Sequence, residues 1–186
     1  DDTMPAPTLV THRSLAWSVV KRDGRFAVRL RDFENPFVET FGPLPYFDID
    51  SSLRVTAVLR PYDEPRVVNV GTVIEGLGYH PTSPGTVEFE IAGEQYDLEA
   101  YASGERLFFV FGDATSRDDT YGAGRFLYAD GPDEHGKTIL DFNKSYSPPC
   151  AFNDFSTCPV ASPRNRLPIR IEAGEKYDKA LFYAAG

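Results

Sequence analysis

The chain has 186 residues, a formal net charge of −9 and 41% hydrophobic residues. This length suits a single domain with its own core, and no apolar run is long enough to span a bilayer. The chain is acidic overall and has no block of basic residues, which argues against binding to nucleic acids or anionic membrane surfaces. We therefore expect a soluble domain over residues 1–186, in the cytoplasm or, as the alternative, exported.

Apolar side chains alternate with polar ones through much of the chain. This period of two predicts β-strands with one face toward a core. It occurs in six segments, at residues 15–19, 26–30, 53–59, 87–91, 96–100 and 167–171. Further strands are predicted at 67–74, 125–129 and 138–142, and the uniformly apolar run at 107–111 predicts a strand covered on both faces.

Short glycine-containing turns separate these runs, as antiparallel hairpins require. They lie at residues 23–24, 92–94, 103–105 and 135–137. The sequence therefore predicts an all-β protein, an antiparallel meander of about ten strands that forms a barrel or a two-layer sandwich. With 15 prolines and 15 glycines in the chain, little helix is expected. The best helical candidate is residues 176–184.

A long segment rich in proline, at residues 145–166, interrupts the pattern and contains both cysteines, Cys150 and Cys158. Long ordered loops often carry function. Two cysteines and three scattered histidines do not make a zinc-ligand set, so no metal is expected. In an oxidising compartment the cysteines could form a disulfide, whereas in a reducing one both would stay thiols.

One string, residues 131–138, has the spacing of a nucleotide-binding P-loop. That motif needs a helix after the loop, but residues 138–142 alternate as a strand and two prolines follow. Asp133 and Glu134 would also put negative charge beside the phosphates. We interpret the string as a polar hairpin tip and expect no cofactor.

Polar side chains crowd the second half of the chain and could line a pocket. The candidates are Asp113, Thr115, Tyr121, Arg125, Asp141, Asn143, Lys144, Cys150 and Asn165. Asp141 and Asn143 share one face of a predicted strand, so they act together. If Leu140 and Phe142 face the core, the pair is solvated, which is the default; if Ile139 does, the pair is buried and needs partners such as Arg125.

Five blocks of residues in this half carry a family resemblance. They are 111–116, 120–127, 141–152, 157–159 and 165–168, followed by Ala173-Gly174-Glu175. In order and spacing they resemble the prokaryotic family called domain of unknown function 1684. The resemblance implies bacterial or archaeal relatives, some cytosolic and some exported, and no assigned activity. Its concentration in polar, proline-rich blocks implies one shared site or one shared structural knot.

The chain departs from the family pattern at two positions. Arg117 stands where the family usually has glycine, so a turn there with positive φ would be less comfortable. Ser147 stands where the family usually has asparagine, which would remove a side-chain amide contact.

Three functions are consistent with these residues. The first is a β domain that binds a small polar or anionic ligand in a pocket lined by Tyr121, Arg125, Asp141 and Asn143. The second is a hydrolase-like or isomerase-like enzyme that uses Asp113 or Asp141 as a base. The third is an oligomeric interaction protein that presents its cysteine loop with Phe152 and Phe155.

Overall fold

The computed structural model describes residues 6–180, and its contacts gather in two compact units, residues 1–43 and 44–186. The expectation of a single domain stays a prediction, and each unit is described by itself. The first unit has a three-stranded antiparallel sheet and one short helix. Its elements are β1 (Val10–His12), β2 (Leu15–Arg22), β3 (Arg25–Asp32) and α1 (Phe37–Thr40).

The hairpin between β2 and β3 forms at the predicted turn. Asp23 and Gly24 both have positive φ, +47° and +74°, as a two-residue turn between twisted strands requires. Across the hairpin Trp17 pairs with Leu30 and Val19 with Val28, which puts the alternating apolar residues on one face. The strands predicted at 15–19 and 26–30 are therefore confirmed.

The second unit contains the remaining eight strands. They are β4 (Arg54–Val67), β5 (Val70–Gly71), β6 (Gly78–Tyr79), β7 (Thr82–Ile91), β8 (Glu94–Ser103), β9 (Arg106–Phe111), β10 (Arg125–Asp130) and β11 (Lys137–Asp141). Six of them form an antiparallel sheet in the order β10-β9-β8-β7-β4-β11, and β5 pairs with β6. The all-β prediction is confirmed.

The six-stranded sheet curls into a nearly closed barrel, with β10 and β11 facing each other across the gap. The side chain of Thr138 in β11 donates to the carbonyl of Asp130 in β10, at 2.8 Å. Alternate residues of each strand fill the interior, including Val87, Phe89 and Leu98, each at most 2% exposed. The structure thus selects the barrel over the sandwich.

A second apolar cluster covers the outer face of β8, β9 and β10. Phe108, Val110 and Phe126 project outward and pack with Cys150 and Cys158 of the long loop. Strand β9 is therefore covered on both faces, as its uniformly apolar sequence predicted. The cysteine loop gives this part of the barrel its second layer.

Two strand predictions and one helix prediction need correction. Residues 167–171 bury Leu167 and Ile171 but form no regular strand. Backbone hydrogen bonds join the segment to residues 112–114, but only the bridge from Gly112 to Arg166 has strand register, because the N–H of Ala114 donates to the carbonyl of Ile169. Of residues 67–74 only Val70–Gly71 forms a strand besides the end of β4. In the predicted helix at 176–184, residues 176–178 are irregular and Ala180 is helical, and those after 180 lie outside the described residues.

Candidate functional site

Arg125 begins β10 on its inward face and is 1% exposed. Its guanidinium forms an ion pair with the Asp113 carboxylate at 2.7 Å and donates to the carbonyls of Ile171, at 2.8 Å, and Ala173. Burial lowers the pKa of Arg125, and the charge of Asp113 opposes that shift. The guanidinium therefore holds the segment 171–173 against the barrel and does not face a cavity.

Asp113 uses both of its carboxylate oxygens. One accepts from the backbone N–H of Thr115 at 2.8 Å and from its hydroxyl at 2.5 Å. The other accepts from Arg125 and from the N–H of Ile171 at 3.2 Å. Thr115 and Thr120 join their hydroxyls at 2.9 Å, which fixes the loop that follows β9. Asp113, Thr115 and Arg125 thus form a buried hydrogen-bond network with a structural role.

Asp141, Asn143 and Lys144 lie together in a different network. Asp141 precedes a 3₁₀ turn over Phe142–Lys144, and its carboxylate accepts from the Asn143 side chain at 3.0 Å. The Asn143 side-chain amide also donates to the backbone carbonyl of Asp50 at 2.8 Å and accepts from its N–H at 2.9 Å. Because Leu140 and Phe142 are fully buried, this pair lies on the solvent side of β11, as the solvated alternative predicts.

Asn165 is fully buried, and its side chain bridges strands β8 and β9 of the barrel by hydrogen bonds. The ladder between β8 and β9 pairs Tyr101 with Phe108 and stops there. Beyond that point the Asn165 amide accepts from the N–H of Glu99 at 2.8 Å and donates to the carbonyls of Glu99 and Val110 at 3.0 and 3.2 Å. The side chain replaces the missing strand pairing.

An open cleft of about 990 Å³ lies beside these networks in the second unit. Loop residues 117–122 form one wall and residues 176–179 the other, with Pro45, Tyr46, Cys150 and Asp154 between them. Of the nine predicted pocket residues, the cleft lining contains Tyr121 and Cys150. The structure does not bring the other seven to it.

Three tyrosines give the cleft an aromatic lining. The rings of Tyr121 and Tyr177 meet edge to face with centroids 5.1 Å apart. The Tyr121 hydroxyl donates to the Cys150 carbonyl at 3.1 Å, and the Tyr46 hydroxyl to the Glu175 carboxylate at 3.0 Å. These bonds connect the cleft to the cysteine loop and to the segment that Arg125 anchors.

Ion pairs neutralise two of the carboxylates in the cleft. Arg170 binds the Asp118 carboxylate at 2.9 Å and also binds Asp119. The ammonium of Lys176 lies 3.5 Å from the other oxygen of Asp119. Arg117 differs from these cations, because its guanidinium has no hydrogen-bond or ion-pair partner within residues 6–180.

Cys150 and Cys158 are both buried thiols. The N–H of Cys150 donates to the sulfur of Cys158 at 3.3 Å, which places the two cysteines side by side. Interaction with Cys150 lowers the pKa of Cys158 to about 7, whereas interaction with Cys158 and burial raise the pKa of Cys150. The disulfide between Cys150 and Cys158 stays a prediction. The two residues are already in contact, so forming it requires little movement.

The sequence prediction missed the cleft residues Tyr46, Arg117, Lys176 and Tyr177. A signal existed for two segments. Position 117 departs from the family pattern, and the Lys176-Tyr177 pair directly follows the Ala173-Gly174-Glu175 block. Tyr46 reaches them through long-range contacts, a backbone bridge and a hydroxyl hydrogen bond to Glu175, which no local pattern shows.

Comparisons with known proteins extend the geometric description. The family model described as protein of unknown function DUF1684 matches residues 39–176. The solution NMR structure of an uncharacterised protein from Haloarcula marismortui is similar at 30% identity and a TM-score of 0.62, covering 76% of this chain and 80% of that one. A search of curated proteins gives no significant match. Within residues 6–180, no helix is long and apolar enough to cross a membrane.

Proposed function

We propose that this chain, which belongs to the DUF1684 family of proteins of unknown function, is a β domain that binds a small polar ligand in the cleft between residues 117–122 and 176–179. The observation that carries the proposal is the cleft itself. Its volume of about 990 Å³ lies at the upper end of the range for small-molecule sites, roughly 300 to 1,000 Å³.

The walls of the cleft are held in place by buried groups, which supports a preformed site. The Thr115 carbonyl accepts three backbone N–H groups, from Asp118, Asp119 and Thr120, at 3.0 to 3.1 Å. On the opposite wall the N–H of Tyr177 donates to the carbonyl of Asp119 at 2.8 Å. A rigid wall lowers the entropy lost when a ligand binds.

The enzyme alternative receives less support from the geometry. Asp113 is buried in its ion pair with Arg125, and Asp141 caps the turn before Lys144. Neither carboxylate is part of the cleft lining, where a general base would need to reach a substrate.

The interaction alternative requires both Phe152 and Phe155 at the surface. Phe155 is 94% exposed, but the Phe152 ring packs against Tyr177 with centroids 6.3 Å apart. We therefore favour binding.

A fragment screen by two-dimensional NMR tests the proposal. We expect hits to shift the resonances of Tyr121 and Tyr177, and Tyr177→Ala to weaken their binding at least tenfold. Tyr62→Ala is the matched control, because Tyr62 stacks on Arg66 at 3.9 Å and is not part of the cleft lining. A screen of polar fragments with no hit that maps to the cleft would refute the proposal.

A further inference from the structure

We infer that Arg117 is the ligand-specificity residue of this cleft, and that it selects a small monoanionic carboxylate with a planar body. The inference rests on the proposed function and adds the chemical class of the ligand.

Arg117 has a backbone conformation that side chains rarely adopt, with φ at +77°. Among residues 6–180, three other non-glycine residues have positive φ, namely Arg13, Asp23 and Ala92, and each lies in a two-residue hairpin turn. Arg117 instead lies in the loop that lines the cleft. Backbone strain outside a hairpin is typical of functional sites, where the rest of the structure maintains it.

The loop is built to hold Arg117 in this conformation. Its N–H donates to the carbonyl of Thr120 at 2.9 Å, which closes the loop around residues 118–119. Its side chain lies directly over Gly122, since a Cβ at that position would be 2.7 Å from Arg117 Cγ. A glycine is therefore required at 122 for the side chain to follow this path.

The guanidinium is available for a ligand. Asp118 and Asp119, which follow it in sequence, are occupied by Arg170 and Lys176. Arg117 has no hydrogen-bond or ion-pair partner in the part of the chain that the structure describes. A free guanidinium presents a planar fork of donors that matches a carboxylate or a phosphate.

The surroundings favour the carboxylate. Four aspartates and three basic residues line the cleft, so its formal charge is −1 before a ligand binds. A phosphate dianion would meet more repulsion there than a carboxylate with a single charge. The edge-to-face pair of Tyr121 and Tyr177 offers ring surfaces to a planar body attached to that carboxylate.

Benzoate and its neutral analogue benzamide test the inference by NMR titration of the full chain. We expect wild type to bind benzoate about tenfold to a hundredfold more tightly than benzamide, with the shifts centred on Tyr121 and Tyr177. Arg117→Gln should remove this preference by weakening benzoate binding to the level of benzamide. Added salt should weaken benzoate binding to wild type only.

Three further variants separate ligand recognition from folding. Arg13→Gln is the matched control, because it removes an exposed arginine that also has positive φ but lies in the β1–β2 turn; it should bind benzoate as wild type does. Arg117→Gly should lose the preference while raising the melting temperature, since glycine relieves the backbone strain. Gly122→Ala should weaken benzoate binding by displacing the Arg117 side chain.

The outcomes distinguish the two proposals. Benzoate that binds in the cleft equally well to wild type and Arg117→Gln overturns the role of Arg117 and leaves the binding function intact. If benzoate and benzamide both fail to shift cleft resonances, the ligand class is overturned, and the fragment screen then decides the binding function separately.

Discussion

At the residue scale, the ion pair between Asp113 and Arg125 is almost completely buried. Both side chains are at most 2% exposed, and each charge has further hydrogen-bond partners. Such a pair is stable only while both members are present, because a single buried charge has lost its hydration without compensation. The pair therefore acts as a structural unit.

Removing one member should destabilise the protein severely. We expect Arg125→Met or Asp113→Asn to lower the free energy of unfolding by about 3 to 5 kcal/mol, measured by urea denaturation. The control is Arg60→Met, which breaks an ion pair of the same 2.7 Å length with Glu88 that is largely exposed. That change should cost less than about 1 kcal/mol. Equal losses at the two sites would contradict this account.

Ser147 and Ser145 form a natural comparison of buried hydroxyls. The Ser147 Oγ is buried and has no hydrogen-bond partner in the described residues, as expected where a longer amide side chain is missing. The Ser145 Oγ donates to the carbonyl of Phe142 at 2.7 Å. Burial without a partner is unfavourable, whereas a made hydrogen bond stabilises the fold.

The two serines should respond to alanine with opposite signs. Ser147→Ala should raise the free energy of unfolding by about 1 kcal/mol, and Ser145→Ala should lower it by about 1 kcal/mol. Urea unfolding of both variants in one buffer measures the difference. A loss of stability in Ser147→Ala would show that its hydroxyl has a partner.

At the element scale, the cysteine loop is the feature most sensitive to its chemical environment. With hydrogen peroxide, the Cys158 thiolate attacks one oxygen and releases hydroxide, and the resulting sulfenic acid is attacked by the Cys150 sulfur, which releases water. The balance is two thiols and one peroxide to one disulfide and two waters. We expect this disulfide to form reversibly, because the two residues are already in contact.

Oxidation should stabilise the protein and should depend on pH. Closing the loop from Cys150 to Cys158 should add about 2 to 3 kcal/mol, seen as a higher melting temperature that dithiothreitol reverses. Because the thiolate is the nucleophile and the pKa of Cys158 is lowered to about 7, the rate should rise as the pH passes through about 7. Cys150→Ala should form no intramolecular disulfide. An unchanged thiol count after peroxide would contradict the prediction.

Local sequence was sufficient for most elements and insufficient for the segments at 67–74, 167–171 and 176–178. The hairpin turns at Asp23-Gly24 and Ala92-Gly93 follow from the glycine in each pair, which adopts positive φ without steric cost. Residues 167–171 show the alternation of a strand and bury Leu167 and Ile171, yet their hydrogen bonds to residues 112–114 are irregular and form no strand. Periodicity reports which side chains face a core and does not report whether a neighbouring segment lies in register.

At the scale of the whole molecule, both apolar clusters are drawn from the second unit. The interior cluster spans Leu53 to Ala173 in sequence, and the outer cluster lies within the same limits. A chain that begins at Leu44 should therefore fold, with a dispersed NMR spectrum and the cleft tyrosines at their full-length chemical shifts. A spectrum of an unfolded chain would show that the first 43 residues are required.

The sequence by itself determined the all-β architecture, the doubly covered strand β9 and the family, because each depends on residues close together in the chain or on an ordered set of motifs. Tertiary structure alone decided what the polar residues do. Buried hydrogen bonds and an ion pair engage the side chains of Asp113, Arg125 and Asn165. The cleft is lined instead by Arg117, Lys176 and Tyr177. Which polar groups end up buried depends on contacts between distant segments, and no local pattern encodes them.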